Sequence, residues 1–189
     1  MSDLQSIHAS AWIAPSAQIY GKVAIARDAS VWHNAVMRAE CEEISIGRMT
    51  NIQDFVMIHV AFESPTRIGE FCSITHHATV HGCTIEDQCL IGINAVVMDG
   101  AVIGRGSIVA GGAVVREGSV FAPGSIIAGV PAKAVAQRDS ARANRLNAWQ
   151  YFHNAERTRQ GDQRAWTGSE YAAWLAGKRA EIESDADLG

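Results

Sequence analysis

Charge is scarce in this sequence. Asp, Glu, Lys and Arg make up 19% of its 189 residues, against about 25% in an average soluble protein. A basic excess is also missing: the formal net charge of −4 gives no electrostatic reason to expect a nucleic acid or an anionic membrane as partner. No apolar run approaches the ~18–20 residues needed to cross a bilayer. The segment MSDLQSIHAS lacks the basic region and apolar stretch of a signal peptide, so the expected compartment is cytoplasmic. CxxC pairs are absent too. Cys41, Cys72, Cys83 and Cys89 match no standard zinc spacing and are expected as small buried hydrophobes, with thiolate ligation by Cys83, near His81, as the alternative. Apolar residues, in contrast, are plentiful at 48%, which excludes disorder. A chain this long buries roughly 70% of its extended surface without needing a metal or disulfide to fold. Low charge also suits a surface partly covered by other subunits.

The apolar residues recur every sixth position. From Ile85 they run Ile91, Val97, Ile103, Val109, Val115, Phe121 and Ile127; upstream stand Ile13, Ile19, Ile25, Val31 and Met37, then Ile46, Ile52 and Ile58, then Ile68, Ile74 and Val80. Glycine often follows, as at Ile46-Gly47, Ile68-Gly69, Ile91-Gly92 and Ile103-Gly104. Neither a 3.6-residue helix nor a two-residue alternation explains this rhythm, whereas a parallel β-helix of short strands and tight turns does. The pattern resembles the hexapeptide-repeat proteins. That resemblance covers about residues 11–135, closes at Gly129-Val130-Pro131-Ala132-Lys133, and implies a left-handed coil of three hexapeptides per turn. The expected fold class is therefore all-β, a left-handed parallel β-helix domain over 1–135 with C-terminal α-helices over 136–189. These helices are expected to pack on the β-helix or on a neighbouring subunit.

The tail is charged, alanine-rich and aromatic. It reads as one helix from about Ser140 to Gln160, stopped by Gly161, and a second opened by a Thr167-x-x-Glu170 capping box with a Trp166–Tyr171 staple. Trp149, Tyr151, Phe152 and Trp174 extend the aromatic cluster; it serves either packing or a docking surface.

Three steps make one coil, so residues three steps apart stack about 4.7–4.9 Å from one another. Counting through the insertions after Met37 and Ile58, and the shortened step from Val80 to Ile85, places Arg38, His59 and His81 in one column. Val31, Ile52, Ile74 and Ile91 belong to a second face, with Gln53 beside Ile52 and with Asp54 and His76 on adjacent coils. Two histidines at strand separation suit one metal, since tetrahedral zinc holds nitrogen ligands about 3.3 Å apart. His76, on another face, reaches such a pair only across a subunit boundary, with His77 its rival for that role. His8, His33 and His153 are lone residues expected in ordinary surface or packing positions.

Thr50-Asn51-Ile52-Gln53-Asp54 through His59 and Thr75-His76-His77-Ala78-Thr79-Val80-His81-Gly82-Cys83 resemble the two signatures of γ-class carbonic anhydrases and their relatives. The resemblance implies metal ligation by His59, His76 and His81 at the interface of a homotrimer. Val36-Met37-Arg38-Ala39-Glu40 resembles the family's Arg-Gly-Asp segment, with Ala for Gly and Glu for Asp. It implies that Arg38 pairs with Asp54 at the subunit contact and that Gln53 orients the reacting species. Three neutral histidines leave one tetrahedral position open, as in catalytic zinc sites; iron or cobalt also accepts imidazole. Zinc makes hydroxide available near neutral pH, so the implied reaction is hydration of CO2 to bicarbonate. Glu63, in the short loop after His59, is the local candidate for the proton shuttle. The alternatives are a metal-dependent acyl-thioester hydrolase, a trimeric scaffold or metal-binding protein, and, less in keeping with three converging histidines, an acyltransferase.

Overall fold

In the computed structural model, which describes residues 4–186, the period-six residues form the core of a left-handed parallel β-helix of about seven coils. Sixteen of the nineteen are buried; Ile13, Ile19 and Phe121, near the two ends, are partly buried against the same core. Three columns run along the prism. One stacks Ile13, Val31, Ile52, Ile74, Ile91, Val109 and Ile127. A second stacks Ile19, Met37, Ile58, Val80, Val97 and Val115. The third stacks Ile7, Ile25, Ile46, Ile68, Ile85, Ile103 and Phe121. β-branched residues dominate because their stiff side chains pack well along the pleat. The first insertion is accommodated in one long strand, Val36–Ile46, that turns from the second face into the third.

From Asp28 onward most corners place one residue in the left-handed backbone region. Down one corner these are Asn34, Phe55, His77, Asn94 and Gly112. For a non-glycine residue that conformation costs roughly 1–2 kcal/mol. Phe55 and His77 offset part of it by stacking their rings, with centroids 4.9 Å apart and planes 1° from parallel.

The last strand, Ala132–Gln137, turns back antiparallel on Ser125–Gly129. The β-structure thus extends two residues past the expected boundary at 135. Helix α1, Ala141–Arg159, then lies along the face of Ile52 and Ile74. Asn144 Nδ2 donates to the carbonyls of Gln88 and Ser107 at 2.7 and 3.2 Å, and Ser73 donates to Asn147 at 2.7 Å. Tyr151 packs edge-on against Trp32, and Trp149 meets Phe71, so these aromatics dock the helix on the coil. Helix α2, Gly168–Glu183, begins at the expected place without the expected cap. The Thr167 hydroxyl donates back to the Arg164 carbonyl at 2.8 Å, and no side-chain cap bond forms. Nor do Trp166 and Tyr171 form a staple: Trp166 turns to Tyr151, and Tyr171 to His153 and Trp174. Helix α1 offers both rings a larger aromatic surface than they offer each other. Three cysteines are buried as expected, but Cys41 is exposed because the insertion carries it off the core. Among the described residues, no helix is long and apolar enough to cross a membrane.

Candidate metal centre

The second column puts Arg38, His59 and His81 in direct register on consecutive coils. His59 Nδ1 lies 2.9 Å from His81 Nε2. Each ring turns its other nitrogen to a carboxylate: His59 Nε2 is 2.9 Å from Glu40 Oε2, and His81 Nδ1 bonds Asp99 Oδ1. A carboxylate only accepts, so both outer nitrogens carry the proton and donate it. In neutral rings that make both of these bonds, the inner nitrogens, His59 Nδ1 and His81 Nε2, carry the lone pairs. Burial first, then the positive charge of Arg38 and the neighbouring His81, holds the His59 pKa below its ordinary value against the opposing pull of Asp99.

Local backbone makes this arrangement fit. Gly82, at φ +52°, follows His81, and a Cβ there would lie 2.8 Å from Asp99 Oδ1. The missing side chain is the space the Asp99 carboxylate occupies. The coil after His81 is 17 residues long, because the step from Val80 to Ile85 is one residue short, so Val80 pairs with Val97 and Asp99 arrives beside Gly82 from the next coil.

The remaining residues divide between two faces. His76 Nδ1 is 3.2 Å from Asp54 Oδ2, with both side chains about a third exposed, on the corner away from His59 and His81. His77 is committed to Phe55. Within the chain Arg38 pairs with Glu40 rather than Asp54, because Arg38 and Asp54 belong to different faces. Gln53 is buried and donates to Asn51 Oδ1 at 2.9 Å, on the face that α1 follows. Tyr151 of α1 stands near Asp54; burial first, and then that carboxylate, push its phenol up to about 12. Glu63 is exposed in a left-handed turn beyond His59. Burial pushes the Cys83 thiol up to about 12 and sets it in the core, which removes it from ligation. Among the described residues, no three His, Cys, Asp or Glu side chains of one chain converge into a metal site.

The donor set nevertheless suits a metal shared with another chain. Two imidazole nitrogens 2.9 Å apart are near the separation of about 3.3 Å that tetrahedral zinc gives its ligands. Carboxylates on the outer nitrogens are the usual support of metal-bound histidines. Glu40 enters the sequence reading only as a departure from a motif, and Asp99 does not enter it; the shortened, 17-residue coil that follows Gly82 was the signal for the latter.

Comparison with known proteins places this architecture. Residues 82–117 match the bacterial transferase hexapeptide (six repeats) family. The chain is 43% identical over 96 residues to gamma carbonic anhydrase 1, mitochondrial, of Arabidopsis thaliana, a match taking in 48% of this chain and 35% of that protein. It thus spans about a third of that relative's length. Similarity to the carnitine operon protein CaiE of Escherichia coli runs further, at 35% identity over 77% of this chain and 75% of that one. Among solved structures, a hexapeptide transferase family protein from Anaplasma phagocytophilum superimposes with a TM-score of 0.77 at 32% identity, covering 80% of this chain and 91% of that chain. The repeat and the coil agree with these relatives, and the chain belongs to the hexapeptide-repeat family of left-handed β-helix proteins.

Proposed function

We propose that the protein is a metal-dependent lyase of the γ-carbonic anhydrase type, interconverting CO2 and bicarbonate at sites shared between the subunits of a homotrimer. The observation that carries this reading is the approach of two ring nitrogens, His59 Nδ1 and His81 Nε2, to 2.9 Å, both of them acceptors when the outer nitrogens donate to Glu40 and Asp99. Two acceptors in that position call for a cation between them, and His76 of a second protomer completes a three-imidazole set. Zinc, or iron or cobalt, fits those donors. When bound, the metal supplies the acidity that ionises a water near neutral pH.

The chain's own residues do the rest. Glu40 and Asp99 fix the rings of His59 and His81. Arg38 on one face and Asp54 on the other stand in the same relation as His59 and His76, so a contact that brings the imidazoles together also brings this ion pair together. Such a pair sets the register of the subunits more than it stabilises them. Gln53, beside Asp54, orients the reacting species across the same contact. Glu63, on the exposed turn after His59, passes the proton to buffer.

A second reading, hydrolysis of an acyl thioester at the same centre, is favoured by the similarity to a carnitine operon protein over three quarters of its length. The test is CO2 hydration assayed beside thioester hydrolysis on the zinc-loaded protein and on His81→Ala. Hydration above the buffer rate, lost in the variant, is the expected result. Thioester turnover alone supports the second reading, and neither activity identifies a scaffold.

A further inference from the structure

We infer that Asp99 is a positioning residue that fixes the tautomer of His81 and thereby selects Nε2 as its metal-binding nitrogen, while Glu40 selects the opposite nitrogen, Nδ1, on His59. The inference rests on the metal-centre reading above. It adds that the two ligands of one chain present different ring atoms, each dictated by its own carboxylate.

The argument is one of donors and acceptors. Asp99 Oδ1 accepts from His81 Nδ1, so in the neutral ring the proton resides on Nδ1 and the lone pair on Nε2. At His59 the outer contact is made by Nε2, to Glu40, and the lone pair is on Nδ1. Reversing either tautomer would set a lone pair against a carboxylate oxygen, which is repulsive, and would fill the gap between the rings with an N–H where a metal needs a lone pair. The rings stack one coil apart with centroids 4.8 Å apart and planes inclined at 61°. That inclination brings unlike ring positions to the gap.

Asp99 is itself held in place. Its carboxylate occupies the space left by the missing side chain of Gly82. On its own coil the backbone is fixed by Gly118 N–H, which donates to the Asp99 carbonyl at 2.8 Å. Gly100 N–H donates to the Gly82 carbonyl at 2.7 Å, tying the Asp99 turn to the His81 turn. The carboxylate thus reaches His81 from a neighbouring coil along a route set by the backbone, which is how an outer partner orients a ligand rather than merely contacting it.

The test combines a tautomer measurement with metal affinity, both on the full chain. In protein labelled with 15N-histidine, long-range 1H–15N spectra of the metal-free wild type should show His81 protonated at Nδ1 and His59 at Nε2. Asp99→Ala should lose the single His81 tautomer and bind zinc about 10–100-fold more weakly in a chelator competition. Asp99→Asn, whose amide oxygen still accepts from Nδ1, should keep the tautomer and recover most of the affinity. A wild-type His81 protonated at Nε2, or an Asp99→Ala protein that binds zinc as the wild type does, overturns the assignment. Should Asp99→Ala fail to fold, the wild-type tautomers and Asp99→Asn decide the matter. A wild type that binds no zinc while His81 holds its proton on Nδ1 sustains the tautomer assignment and overturns the metal reading beneath it.

Discussion

His59 Nδ1 stands 2.9 Å from His81 Nε2, one coil away, with the outer nitrogen of each ring held by a carboxylate. The β-helix produces this relation without any loop having to close. Parallel register places like positions of successive coils at one strand spacing, and the core beneath them, Ile58 and Val80, is fully buried. A rigid core fixes the backbone beneath both imidazoles; the carboxylates fix the rings.

Gly82→Ala tests whether space beside His81 matters. The substitution puts a Cβ 2.8 Å from Asp99 Oδ1 at φ +52°, whereas at Gly112, φ +70°, a Cβ meets nothing within 4 Å. Both variants should lose about 1–2 kcal/mol to left-handed backbone strain, measured by denaturant unfolding. Only Gly82→Ala should also weaken zinc binding. Equal zinc affinity in the two would count against the Asp99 geometry.

Thiol reactivity tests the burial of the coil. Cys41 is exposed while Cys72, Cys83 and Cys89 are buried, and burial raises the Cys72 and Cys83 thiols above their ordinary values. Because the thiolate is the nucleophile, alkylation of the native protein should modify Cys41, with the other thiols reacting after unfolding. Mass spectrometry of the alkylated peptides reads this directly.

Acid should loosen the helical tail. His153 of α1 stacks on Trp174 of α2 with centroids 4.3 Å apart. Its pKa is lowered chiefly by burial and then by Arg157, against the opposing pulls of the Ala165 carbonyl and Asp162. A histidine with a depressed folded pKa takes up its proton more readily when unfolded. The stability it allows is therefore complete above about pH 6.5 and falls as pH drops toward the folded value. Melting temperatures of the wild type and His153→Gln should run parallel above that pH, and the wild type should fall relative to the variant below it. Parallel profiles at all pH values would show that the stack does not bury the ring.

The coil was legible from sequence because the hexapeptide period marks every inward position, from Ile13 to Ile127, with an apolar residue. The same count put Arg38, His59 and His81 in one column and Asp54 with His76 on another, and the observed register agrees. Asp99 was missed although it lies one shortened, 17-residue coil after Gly82, because a carboxylate in a turn carries no pattern of its own. The final strand, Ala132–Gln137, was not legible as a repeat because it reverses direction and leaves the period. The tail defeated motif reading for another reason. Thr167 and Glu170 have the spacing of a capping box, but a backbone carbonyl three residues back, that of Arg164, takes the hydroxyl first. The rings of Trp166 and Tyr171 follow tertiary partners on α1 that local sequence does not specify. Gln53 and Glu63 were placed by resemblance; one is buried against Asn51 and the other exposed in a turn, so the roles proposed for them depend on the neighbouring subunit.

The central claim is that each metal is held by His59 and His81 of one protomer and His76 of another. Co-assembly of His76→Ala and His81→Ala chains tests it most directly. Each variant alone should form trimers without bound zinc. Mixed in equal amounts and reassembled, they should regain about one intact site in four, since a site is whole only where a chain retaining His81 adjoins one retaining His76. Zinc analysis of the reassembled trimers reads that fraction. Full zinc content in trimers of His76→Ala alone, or no recovery in the mixture, would contradict a site shared between subunits.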